Sequence, residues 1–423
     1  MSRSTTADTY NVAVGNEAAY SCTTGALHVA VGGKALYSST TADGAVAVGY
    51  EAAKDWVGSY SITAIGYLAL ANCTTGVNNT ALGRNSLTTL TTASENTALG
   101  NMSMQAATTG YENVAVGSNS LYTITTGANN TALGHNALYT NNASNNTAVG
   151  KDALKLNTTG TYNTAVGTNA LDANTTANAN TALGFGALTA NTTGEENTAS
   201  GRSALAANTT GINNTAHGYA ALSANTTASY NTSVGSHSLQ DNTTGSNNTA
   251  LGYKALADNT TADHNTAIGY NSMLVNTTGE QNVAVGEDTL ESNTTGNFNT
   301  AVGRSALQAN TTGATNTAIG YFAMDSNTEG SGTAVGAYAL DAQTVGKNNN
   351  AIGNNALTKN TTGGENTAVG HKTLFTATTA NNNVAVGNFA LYACTTGGDN
   401  VGVGNSALDS STTGERNVAI GYE

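Results

Sequence analysis

Proline is absent from this 423-residue chain, charged residues make up 9% of it, and there are three cysteines and one tryptophan. Charge of either sign is thin, and the net value of −13 is carried without a basic run that could hold a phosphate backbone, so nucleic acid is not an expected partner. No apolar run approaches the roughly 18 residues of a membrane span, so membrane insertion is not expected either. The first ten residues, MSRSTTADTY, contain no apolar stretch of the kind a secretory signal needs. Catalytic signatures are missing: no HExxH, no GxxxxGK[ST] loop, and no Ser/His/Asp pattern among the scattered histidines His28, His135, His217, His237, His264 and His371. Calcium-binding GGxGxD nonapeptides are missing too. The expectation is a non-enzyme without cofactor or resident metal.

What remains is rich in Asn, Thr, Ala and Gly, a composition that alone suggests low-complexity disorder. Fixed apolar positions argue otherwise. A short apolar word ending in glycine occurs 25 times, from Gly15 to Gly421, and of its 24 intervals 22 are 17 residues and two are 16. A repeat this short cannot bury its own apolar face and must stack on its neighbours. Residues 11–423 therefore read as one continuous all-β solenoid domain of about 25 coils, preceded by a partial coil at 1–10. At about 4.8 Å per coil the stack would be a rod on the order of 115 Å.

Residues 163–179, NTAVGTNALDANTTANA, illustrate one coil. Before Gly167, Thr164 and Val166 point to one side of a strand and Ala165 to the other. After it, Ala170 and Leu171 read as a second short strand whose Leu meets the Val of the first. Two large side chains per coil make a thin core, at roughly 1.5–3 kcal/mol each. Association through the Ala side would supply the missing burial. The invariant glycine implies positive φ or a close backbone approach. The second glycine of the repeat gives way to Ala177, Ala228 and Ala262, so that position does not need a left-handed backbone.

Seven to nine residues after the glycine, Asn-Thr-Thr recurs, as in Asn174-Thr175-Thr176 and Asn208-Thr209-Thr210. In register these residues form side-chain ladders. They also spell a glycosylation sequon; laddering is the preferred reading because Cys22, Cys73, Cys394 and Trp56 take the Asn slot. Cys22 and Cys73 lie three coils apart, roughly 14 Å, beyond the roughly 7 Å reach of a disulfide. Both 16-residue coils shorten between this segment and the next strand, where a loop tolerates deletion.

The word Asn-Thr-Ala-Val-Gly-x-x-Ala-Leu resembles the SVAIGxxAxA head repeat of trimeric autotransporter adhesins, the YadA-like head, and the repeat shafts of phage tail fibres. The likeness runs from about Asn11 to Gly421. It implies a left-handed parallel β-roll assembled as a parallel homotrimer. A coiled-coil stalk and a membrane anchor, both expected of the adhesins, are not visible, and no polar capping coil protects either end.

Several residues stand out as candidates. Ser200 and His217 interrupt the apolar position before the glycine; at a trimer axis, three copies of His217 could gather an ion or water. Tyrosine follows the glycine at Tyr50, Tyr67, Tyr219, Tyr253, Tyr270 and Tyr321, and Tyr253 and Tyr270, in consecutive coils, are placed to stack. Trp56, in an irregular stretch, is a candidate for surface recognition together with Tyr253 and Tyr270. The function expected is a structural or adhesive fibre, a trimeric shaft outside the cell or on a virion, touching a host glycan or protein. Alternatives are a filament growing head to tail, a bacterial surface adhesin and, lower, an ice-binding protein. Ice binding needs a flat outward Thr array, which adjacent Thr-Thr pairs do not make.

Overall fold

The computed structural model describes residues 10–422, so the partial coil expected at 1–10 lies almost entirely outside the described residues. The chain divides into two compact units, one ending at Ile212 and one beginning at Asn213. The first unit carries strands β1 (Val12–Val14) to β12 (Thr198–Ser200), and the second β13 (Thr215–His217) to β25 (Val418–Ile420). Within each unit, successive strands pair in parallel and in register. β10 (Thr164–Val166) meets β11 (Thr181–Leu183) as Thr164↔Thr181, Ala165↔Ala182 and Val166↔Leu183. Among the described residues there is no helix. The fold is a parallel β-solenoid with a 17-residue repeat.

The inward side of the strand is the alanine side, and this corrects the sequence reading. Ala165 is fully buried within its own chain, while Thr164 and Val166 face outward. Leu171 is fully buried as well, but it does not meet Val166's outward side chain. The physical reason is space. The coil of Gly167 encloses Ala165, Ala170, Leu171, Asn163 and Asn174, and the strand's centre is held by small residues throughout, alanine with Ser233 and Gly402 as exceptions.

The second strand expected after the glycine is a turn. Asn169 and Leu171 hold φ of +57° and +52°, so the chain cannot extend there. The segment still ladders between coils: Leu171 N–H donates to the Ala187 carbonyl at 3.1 Å, and Asn169 N–H to the Lys151 carbonyl at 3.0 Å. A left-handed leucine costs roughly 1–2 kcal/mol, and its complete burial offsets that.

The repeat glycine satisfies both sequence-based reasons at once. Gly150 has φ +136°, and a Cβ there would lie 2.5 Å from the Gly167 carbonyl oxygen of the next coil. The second glycine is different, since Gly160 and its equivalents lack positive φ and Ala177 fits the same slot.

Two columns of buried asparagine complete the core. Asn163 takes the N–H of Asn180 on its Oδ1 at 3.0 Å and gives its own Nδ2–H to the Ala177 carbonyl at 2.8 Å. Asn174 donates to Asn157 Oδ1 at 2.8 Å and to that same Ala177 carbonyl at 3.1 Å. Both amides are fully or almost fully buried with their polar atoms paired, as buried amides must be. The Thr-Thr pair splits: Thr175, half-buried, donates its Oγ1–H to the Thr192 carbonyl at 3.2 Å, and Thr176 is exposed. In the 16-residue coil after Gly134, the missing loop residue makes Ala143, rather than the following residue, supply the carbonyl that Asn130 and Asn141 share.

Candidate interaction surface

Because alanine takes the inside, the strands present their larger side chains to solvent. The residue before each glycine forms an outward column of Val, Leu and Ile. Leu133 is 46% exposed, Leu183 51%, Leu251 45% and Ile352 45%. The neighbouring outward column is mostly threonine, with valine at Val12, Val29, Val46, Val114, Val283, Val384, Val401 and Val418. Scattered exposed apolar residues are ordinary, but a column repeated coil after coil within each unit is a candidate interaction surface. The apolar column is interrupted at Ser200, on β12, and at His217, on β13. His217 is exposed there, and no group of three or more metal-ligating side chains occurs among the described residues.

Aromatic side chains form short surface stacks. Tyr253 and Tyr270 lie 5.5 Å apart at 16°, the stacking expected from their phase. His237 sits edge-on between Tyr219 (4.9 Å) and Tyr253 (6.2 Å), and the Lys254 ammonium lies 5.6 Å from the Tyr253 ring. Sequence reasoning missed a second column, with Tyr20–Tyr37 at 5.2 Å, Tyr122–Tyr139 at 5.0 Å and Phe375–Tyr392 at 5.4 Å. The signal was available, since each pair is 17 residues apart. Lys359 and Lys372 both reach the Phe375 ring, at 5.2 and 5.7 Å. Rings stacked face to face offer a partner mainly their edges.

Trp56 is not a surface residue. It lies seven residues after Gly49, in the buried column usually held by asparagine, is 0% exposed, and donates its indole N–H to the Gly76 carbonyl at 3.2 Å. The cysteines stand in the same column. All three thiols are free and buried, and each donates to the carbonyl that an asparagine would reach, as Cys22 does to Gly25 at 3.4 Å. Burial pushes the Cys73 thiol up to about 11, so at neutral pH it is protonated and a weak nucleophile. The Asn-Thr-Thr asparagines are fully buried, for example Asn174 and Asn208, so ladder pairing and not glycan attachment describes them.

Two carboxylates are perturbed together. Asp325 and Asp341 stand at the same place in successive coils; burial and then the Asp341 charge raise Asp325 to about 6, and burial raises Asp341. A groove of about 540 Å³ opens among Lys347, Asn348, Glu365, Asn381 and Asn382.

No protein-family model matches the chain, and no curated protein matches it in sequence. No helix of the described residues is long and apolar enough to cross a membrane.

Proposed function

We propose that this protein is a non-catalytic structural and adhesive fibre subunit, a homotrimeric shaft for attachment or display on a virion tail or surface appendage. The outward apolar column carries this reading. A face that repeats Val, Leu or Ile once per coil fits a partner with the same period, and a second copy of the chain has that period. Covering each leucine would contribute roughly 1.5–3 kcal/mol, summed over many coils. The seal between copies thus belongs to the Val/Leu side of the strands, not to the Ala side. The left-handed coil and threefold assembly rest on the likeness of the repeat word to YadA-like heads and phage fibre shafts.

Along such a fibre, weak contacts from Tyr253, Tyr270 and the lysine-flanked Phe375–Tyr392 stack would be displayed in three copies, and their avidity would exceed any single affinity. The partner class is a host surface glycan or protein, and the setting is extracellular or on the virion. A surface adhesin would use the same face, whereas a head-to-tail filament would stack end coil on end coil and leave it free. Ice binding is less well supported, because the outward column mixes Leu, Val, Ser200 and His217 and so presents no uniform lattice. Negative-stain images of the purified chain test the proposal. Elongated particles of uniform width support it; compact round particles contradict it.

A further inference from the structure

The amide columns are interrupted near Trp56. Where other coils place Asn four residues before the glycine, successive coils here place His28, Ala45 and Ile62, and the facing column holds Ser39, Trp56 and Cys73. His28 acts as a stand-in for an asparagine. Its backbone N–H donates to Asn11 Oδ1 at 2.8 Å, as Asn96 N–H does to Asn79 Oδ1 at 3.0 Å. Its ring then takes the place of the amide oxygen: the Ala45 N–H donates to His28 Nδ1 at 3.3 Å.

That bond fixes the tautomer. Nδ1 must carry a lone pair, so the proton is on Nε2. His28 is 1% exposed, its Nε2 has no partner in good hydrogen-bond geometry although the Ala42 carbonyl lies beside the ring, and the Ser39 hydroxyl of the same coil is also buried without a partner. The Trp56 indole crosses the ring edge-on, 6.5 Å away at 89°. The carboxylate whose charge reaches His28 is Asp43, exposed and engaged by the Ala26 N–H at 2.7 Å; Cys22, on the preceding coil, is a buried neutral thiol. The one backbone acceptor beside the ring is the Ala42 carbonyl, which favours a ring proton but less than burial disfavours the charge; Nδ1, where the second proton must go, faces the Ala45 N–H. Among the described residues His28 is the only buried histidine, and the intact columns consist of amides that do not titrate.

We propose that His28 is an acid-sensitive latch between the coils of β2 (Val29–Val31) and β3 (Val46–Val48). Protonation at Nδ1 turns the acceptor of the Ala45 N–H into a donor facing a donor. The junction then opens, the charged ring reaches water, and Trp56 is exposed. The sign follows from burial of the neutral ring, which lowers its proton affinity. The contribution to stability is fully present above the ordinary histidine value of about 6.5 and is lost as pH falls below it.

Trp56 is the only tryptophan in the chain, so intrinsic fluorescence of the full-length protein reads this junction. Between about pH 8 and about pH 6.5 the emission should be constant and blue, and below that it should shift reversibly to the red while far-UV circular dichroism holds. His28→Asn, which restores the amide, should keep the blue emission and lose the transition. A second readout needs no variant: exchange of the Ala45 amide hydrogen should accelerate on acidification, against the slowing of intrinsic exchange. Absence of a red shift down to about pH 4.5, the same transition in His28→Asn, or an Ala45 amide that only slows would each overturn the latch.

Discussion

Gly150 and Asp325 show how much a single position can decide. With φ at +136° and the Gly167 carbonyl 2.5 Å from where a Cβ would go, Gly150 has no room for a methyl group. Gly150→Ala should destabilise by on the order of 2–4 kcal/mol, seen as a lower urea midpoint with the slope unchanged. Asp325 works in the opposite sense from most carboxylates. Burial and Asp341 raise its proton affinity to about 6. A raised carboxyl contributes stability below its unfolded value and loses it as pH climbs through the folded one. Asp325→Asn should therefore raise the melting temperature above about pH 7 and leave it unchanged near pH 4. Equal shifts at both values would refute the assignment.

Within each coil, the period and its invariant glycine were legible in the sequence, because the backbone geometry at that glycine recurs in every coil, the two 16-residue coils included. Which side of the strand faces inward was not. Alternation places Thr164 and Val166 together against Ala165, and size suggests that valine is the buried one. The volume left by Leu171 and the asparagines reverses that choice, and a strand read in isolation carries no record of it. The left-handed Leu171 was equally hidden, since leucine bears no mark of positive φ, whereas the asparagine that recurs at the position of Asn169 is a residue type enriched there and was a signal left unread. Trp56 was misread from its irregular flanks although its phase, seven after Gly49, already placed it in the buried column. That column also explains its own sequence pattern. Leu90, Ala107 and Ile124 replace asparagine in consecutive coils, so amides are lost as a block and few partners are orphaned. A lone apolar residue inside the ladder lacks that compensation. Asn174→Leu would strand Asn157 Oδ1 and one donor of Asn191, costing about 1–3 kcal/mol for each unsatisfied group. Asn174→Cys should cost less, because a thiol in this slot reaches the same carbonyl, as Cys394 reaches Gly397 at 3.4 Å. Thermal unfolding of the two variants side by side ranks them.

For the whole molecule, the decisive quantity is the number of chains in the assembled particle. The exposed columns, with Leu133 and Leu183 in the first unit and Leu251 and Ile352 in the second, have the period of a sister copy, and on the proposed reading sister copies cover them. Sedimentation equilibrium of the intact chain, with and without Leu133→Asp and Leu183→Asp together, tests this most directly. The account predicts three times the 42.2 kDa protomer mass for the native chain, and a fall towards one protomer in the variant with its circular dichroism retained. A native chain that sediments at 42.2 kDa at every concentration, indifferent to the two substitutions, would contradict it.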